Sequence, residues 1–279
     1  MADRRTFLQA VAAAAVGIDI APRRIERFVA SRLRAFRVRR NINSLDPNGP
    51  EVAILRAGVK AMQALNPLSG LPTNPKSWGY QRAIHKFPSA PNPSPTAWNT
   101  CTHHGSPGPG FVSWHRAYLY YFERICRSVS GDDNFTLPYW NYDKPGQNVM
   151  PWPFVDNSVT DNPLLYARGN GINAGAFLAP AAVGEELTVS ETDFGTFQEA
   201  LQDCHDATHL AIGGDMGSVW TAALDPIFYL HHANIDRCWR HWQRLHQGTA
   251  DPSPLPSWWN TQWTFFDENG NQVQMTGQQ

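Results

Sequence analysis

The sequence predicts a mainly α-helical domain in which facing helices carry histidines, joined by long loops and a few short strands. His205 and His209 are four residues apart, so on a helix their imidazoles lie on one face. His232 begins a stripe of apolar residues at helical spacing, made up of Ile235, Trp239 and Trp242. Two histidines one turn apart, with a third from a facing helix, can present three nitrogen ligands to one metal ion.

The composition of the chain limits the classes of protein to which it can belong. The chain has 279 residues, 42% of them hydrophobic, which is enough for one large domain or at most two. The net charge of −1 gives no reason to expect binding to nucleic acid, and no run of ~20 apolar residues predicts a membrane span. The four cysteines are widely spaced without a CxxC pattern, which argues against a disulfide framework: Cys101, Cys126, Cys204 and Cys238.

The N-terminus resembles an export signal. Residues 4–9 read RRTFLQ and precede the apolar run AVAAAAVG, which resembles a twin-arginine signal. We therefore expect residues 1–36 to be a signal or basic extension and residues 37–279 to be the globular domain. This interpretation predicts a periplasmic or secreted protein. The alternative is a short alanine-rich helix with a basic start on a cytoplasmic protein.

The first half of the globular part predicts three helices. Residues 51–65 place apolar side chains on one side, and residues 78–87 form a shorter helix that carries His85. A proline-rich loop over residues 88–109 contains Cys101, His103 and His104. Residues 111–129 return to helical periodicity, with His115 on the apolar stripe and therefore facing inward.

The remaining segments predict little regular structure outside the helices of His205 and His232. Residues 137–143, LPYWNYD, form a short extended segment, and residues 144–196 are mostly loop, suited to a lid or rim. The tail alternates aromatic and polar residues around Asn269-Gly270, which predicts a hairpin. Helical geometry turns His231 about 100° away from its neighbour His232.

The histidines form two triplets. His85, a second histidine at position 103 or 104, and His115 make one; His205, His209 and His232 make the other. Three neutral imidazoles without a thiolate or carboxylate suit Cu, Zn or Fe and leave a coordination position open. Two triplets on facing helices predict a binuclear centre, and the scarcity of carboxylates argues against di-iron chemistry.

At these residues the sequence resembles the type-3 copper proteins, namely tyrosinases, catechol oxidases (polyphenol oxidases) and molluscan haemocyanins. The matching segments are Cys101-Thr102-His103, WHRAYL at 114–119, LPYWNYD, His205-x-x-x-His209 and DPIFYLHHANIDR at 225–237. The resemblance implies two copper ions surrounded by a four-helix bundle. It assigns one copper ion to His85, His103 and His115, and the other to His205, His209 and His232.

The resemblance also implies features around the ligands. In this family the cysteine two residues before the second ligand is often joined to it, so a thioether bond between Cys101 and His103 is expected. Asp206 follows the first ligand of the second triplet, where tyrosinases often have Asn. Gln202 stands where a Glu that holds a water is common, and Val219 where plant enzymes often carry Phe. The C-terminal shielding domain of the family is not expected in this sequence.

The activity that the resemblance implies is oxidation of o-diphenols to o-quinones with O2 as co-substrate. Weaker monooxygenase activity, the o-hydroxylation of monophenols, is expected beside it. Small phenols are the expected partners, while oligomeric state and the need for a copper chaperone stay open. The alternatives are a haemocyanin-like oxygen carrier and a zinc hydrolase; Asp206 is the evident candidate for the carboxylate base that a hydrolase needs.

Overall fold

The structure is a computed structural model that describes residues 37–66, 70–103, 110–178, 184, 188–247, 260–277 and 279. Residues Arg39–Gln279 form one compact unit. The predicted export signal, residues 1–36, and His104 lie outside the described residues. In the part of the chain that is described, no helix has the length and apolar character needed to cross a membrane.

Five helices dominate the described chain, which confirms the mainly helical prediction. Their bounds are α1 Pro50–Ala64, α2 Trp78–His85, α3 Gly110–Ser130, α4 Phe194–Ile212 and α5 Ile227–Leu245. One short 3-10 turn precedes α1, and others lie between the later helices; their bounds are Ile42–Ser44, Trp152–Phe154, Ile172–Ala174, Gly214–Gly217 and Ala222–Leu224.

Local capping groups explain where several helices begin. The Ser77 hydroxyl accepts the Tyr80 backbone N–H at 3.2 Å at the start of α2, and Asp193 caps α4 in the same way. α5 begins at Ile227, whose N–H donates to the Asp225 carboxylate at 3.1 Å. His232 therefore lies in the second turn of α5, whereas the apolar stripe alone suggested that it begins the helix.

The core is built on α3, which packs against both α1 and α5. Phe122 of α3 and Tyr229 of α5 stack with ring centroids 3.6 Å apart. The indole of Trp78 packs edge-on against both rings and donates its N–H to the Leu224 carbonyl at 3.1 Å. Because these large rings are buried, α2, α3 and α5 are fixed side by side.

The predicted C-terminal hairpin is present. β1 (Gln262–Phe266) and β2 (Gln272–Thr276) pair antiparallel, and Gly270 occupies the turn with φ of 83°. Asp267 accepts the backbone N–H groups of Asn269 and Asn271 within that turn. Phe265 of β1 stacks on Tyr121 of α3, so the hairpin packs against the main core.

The long segment before α4 is more than the rim that the sequence suggested. Its described residues include two 3-10 turns, and Phe154, Leu164 and Ile172 are buried in the main core. The Arg168 side chain is fully buried and donates two hydrogen bonds, both of 2.7 Å, to Asp225. Since Asp225 also binds the first N–H of α5, this loop positions the helix that carries His232.

Candidate metal centre

One histidine cluster lies between α2, α3 and the loop that joins them. It contains His85 at the end of α2, Cys101 and His103 in the loop, and His115 in α3, with their metal-binding atoms within 4.8 Å of one another. His85 is buried, and neither of its ring nitrogens has a hydrogen-bond partner among the described residues. A buried imidazole without a partner is costly unless a metal ion takes one of its nitrogens.

His115 is oriented by the backbone of its own helix. Its Nδ1–H donates to the Phe111 carbonyl at 2.8 Å, which leaves Nε2 as the nitrogen with the free electron pair. That Nε2 lies 3.4 Å from the Cys101 sulfur. Burial raises the pKa of the Cys101 thiol well above its ordinary value, so the cysteine is not a thiolate ligand by itself.

The second cluster joins α4 and α5 and contains His205, His209, His231 and His232. The Nε2 atom of His205 lies 3.0 Å from that of His209 and 3.3 Å from that of His232. Two nitrogens bound to one tetrahedral ion with bonds of ~2.0 Å lie ~3.3 Å apart. The spacing of these three nitrogens therefore fits a single metal ion.

Two of the histidines in this cluster have an oxygen partner at the ring nitrogen that faces away from the centre. The Nδ1–H of His209 donates to the Met216 carbonyl at 2.8 Å, and that of His205 donates to the Asp206 carboxylate at 2.8 Å. Such partners fix the tautomer and the ring orientation of a metal-binding histidine. Asp206 thus acts on the centre through His205, and its oxygen also forms a candidate metal group with His103 and His205.

His231 lies closer to the centre than its helical position suggested. It does point away from the stripe of His232, but it is fully buried and its ring stacks on that of His205, with centroids 5.0 Å apart. Its Nδ1 forms a hydrogen bond of 2.9 Å with the Tyr142 hydroxyl, from the LPYWNYD segment. No sequence pattern assigned a role to Tyr142, although its segment is one of those that resemble the type-3 copper proteins.

The two clusters are contiguous. The rings of His115 and His232 stack with centroids 4.2 Å apart and planes 9° apart. Phe228, one turn before His232, contacts that ring at 4.2 Å and His85 at 4.8 Å. Two metal ions held by these clusters would therefore share one apolar chamber, as the prediction of a binuclear centre requires.

Burial keeps the histidines neutral. The pKa values of His85, His115, His205, His231 and His232 lie well below the ordinary value, first because the rings are removed from water and then because neighbouring histidines oppose protonation. Burial lowers the pKa of His209 to about 4. Neutral imidazoles are the form that binds copper or zinc, so the donor set fits such ions.

A cavity of about 530 Å³ opens onto both clusters. Asp206 and Val219 line it, and so do Lys86 and Trp220, which the sequence did not single out. Lys86 directly follows His85, and that adjacency was the one signal that could have identified it. Gln202 does not line the cavity; it is buried in α4, and its amide nitrogen has no hydrogen-bond partner among the described residues.

Comparison with known proteins agrees with this site. The family described as the common central domain of tyrosinase matches residues 75–176 and 173–245. A tyrosinase of Hahella sp. (strain CCB-MM4) is 32% identical over 255 residues, which covers 72% of this chain and 53% of that protein. Polyphenol oxidase C, chloroplastic, of Solanum lycopersicum is 30% identical over 210 residues, 58% of this chain and 33% of that protein.

The fold is also similar to that of a solved enzyme. Recombinantly expressed latent aurone synthase, a polyphenol oxidase, superposes with a TM-score of 0.69 at 25% identity, covering 87% of this chain and 55% of that one. The chain spans about half the length of the Hahella relative and a third of the tomato one. The family match includes His85, His115 and all four histidines of the second cluster. The chain belongs to the tyrosinase family.

Proposed function

We propose that this protein oxidises o-diphenols to o-quinones with O2 and hydroxylates monophenols more slowly. The observation that carries the proposal is the pair of contiguous imidazole clusters that open onto one cavity. Membership of the tyrosinase family implies a binuclear copper centre. In that centre His85, His103 and His115 would hold one ion, and the other would be held by His205, His209 and His232.

Copper ions at these sites would supply the binding of O2 and the acceptance of electrons from the phenol. The chain itself holds the imidazoles in place through backbone and carboxylate partners before any metal arrives. It also surrounds the centre with apolar rings such as Phe111 and Phe228, which exclude bulk water. The cavity admits a small phenol from the side lined by Val219 and Trp220.

Hydroxylation of a monophenol requires that the phenol lose its proton. Phenols have a pKa near 10, so a proton acceptor beside the centre assists at neutral pH. Asp206 lines the cavity with its side chain 46% exposed, whereas Gln202 is buried and cannot accept a proton. We assign the role of proton acceptor to Asp206, which would take the phenol proton directly or through a water. This role is in addition to its hydrogen bond with His205.

Metal analysis together with catechol oxidation tests the proposal. Protein loaded with copper should hold two ions per chain and should form o-quinone from catechol with consumption of O2. His85→Ala and His232→Ala should each lower the copper content and abolish turnover. His241→Ala is the matched control, because His241 lies on α5 with His232 but is exposed to solvent.

Two results would contradict this function, and a third would contradict the assignment of its ligands. Preferential retention of zinc with hydrolysis of an ester would indicate a hydrolase. Reversible O2 binding without catechol turnover would indicate an oxygen carrier. Copper retained in His232→Ala but lost in His231→Ala would show that the wrong α5 histidine has been assigned.

A further inference from the structure

The cavity carries one positive charge among its described lining residues, that of Lys86. Lys86 ends α2 in an extended conformation, with φ of −153° and ψ of 141°. Its ammonium nitrogen lies 3.4 Å from the Asn99 carbonyl and 5.7 Å from the centroid of the Trp220 ring. The ammonium group therefore sits beside an aromatic wall of the same cavity.

This ammonium group keeps donor capacity for a ligand. An ammonium has three N–H donors, and among the described residues Lys86 has one hydrogen-bond acceptor, at long distance. No carboxylate of the described chain forms an ion pair with it. Asp206, the described carboxylate of the cavity, already accepts a hydrogen bond from His205.

The wall beside Lys86 is apolar and accessible. Leu210, Val219 and Trp220 all line the cavity, and all three are exposed, with Trp220 46% accessible. An exposed indole next to an ammonium suits a ligand that is both flat and anionic, because the ring stacks on the indole while the anion meets the cation.

We propose that Lys86 and Trp220 select phenols that carry a carboxylate on a short side chain, that is, phenolic acids. This inference rests on the proposed phenol oxidation at the same site. Lys86 directly follows His85 in the chain, and its side chain lines the cavity onto which both histidine clusters open. A phenol whose hydroxyl is directed at the histidines therefore lies in the same cavity as this ammonium group and the Trp220 ring.

Caffeate and its neutral methyl ester form a matched pair of substrates for the kinetic test. Lys86→Met should lower the ratio of their kcat/KM values about 5-fold, the upper end of the effect of an accessible ion pair. Lys86→Arg should keep the ratio, because it keeps the charge. Lys144→Met is the control for net charge, since Lys144 is exposed and lies outside the cavity lining; it should leave the ratio unchanged.

Binding to the metal-free protein gives a second readout that needs no turnover. Cinnamate and methyl cinnamate lack a phenol hydroxyl, and calorimetry should show that Lys86→Met weakens cinnamate binding about 5-fold relative to the ester. An unchanged ratio in both assays would overturn the inference. If the wild type fails to oxidise catechol but Lys86→Met weakens cinnamate binding, the proposed reaction is wrong and the anion site stands.

Discussion

Replacement of Arg168 by methionine tests the link between the long loop and the metal centre. Both partners of the Arg168–Asp225 pair are buried, with side-chain exposures of 0% and 1%. The guanidinium donates two hydrogen bonds to the carboxylate and others to the Phe154 carbonyl and to Asn173. Methionine has a similar volume but cannot donate, so Asp225 would remain buried without its cation.

The cost of this change follows from burial. Removing one partner of a buried ion pair costs about 3–5 kcal/mol of unfolding free energy. Burial raises the pKa of Asp225, although Arg168 lowers it. Without Arg168 the buried carboxyl takes up a proton more readily. This protonation limits the loss of unfolding free energy to the lower part of that range. For a unit of this size each kcal/mol lowers Tm by about 2–4 °C, which predicts a fall of at least ~6 °C.

Calorimetry of the metal-free protein measures this fall, with Arg40→Met as the matched control. Arg40 pairs with Glu51 at 2.7 Å, but the side chains are 54% and 47% exposed, so the control should cost less than about 1 kcal/mol. Because Asp225 holds the first N–H of α5, copper affinity should fall in Arg168→Met as well. Equal Tm values for the two variants would refute the argument that burial decides the contribution of the pair.

Two further predictions concern residues beside the proposed copper ligands. Asp206→Ala should lower the rate of monophenol hydroxylation at least ~10-fold while sparing catechol oxidation, as measured by oxygen consumption. Asp206→Asn should behave likewise, although its amide oxygen still accepts a hydrogen bond from His205. Equal losses on both substrates would show that Asp206 does not take part in proton transfer. If Cys101 forms a thioether with His103, the intact mass of copper-loaded protein should fall by two hydrogen atoms, ~2 Da, and Cys101→Ser should abolish the difference; an unchanged mass with four titratable thiols would exclude the bond.

Much of the candidate metal centre could be predicted because its histidines are placed by local structure. His205 and His209 converge through helical spacing, and the stripe of α5 correctly turned His232 toward the core. The same geometry was insufficient for His231. Almost every residue in the first half of α5 is buried, since the helix is enclosed on several sides, so an angle of 100° moves a side chain from one buried surface to another.

The sequence by itself determined the helices, the hairpin and the two sets of histidines, because these depend on periodicity, capping and turn residues that act within a few positions. The tertiary structure decided which groups complete the site. Lys86 and Trp220 are 134 positions apart in the chain and meet in the lining of the cavity. Arg168 reaches Asp225 from a loop that has no periodic pattern. Such contacts arise from the packing of distant segments, and no local pattern in the chain encodes them.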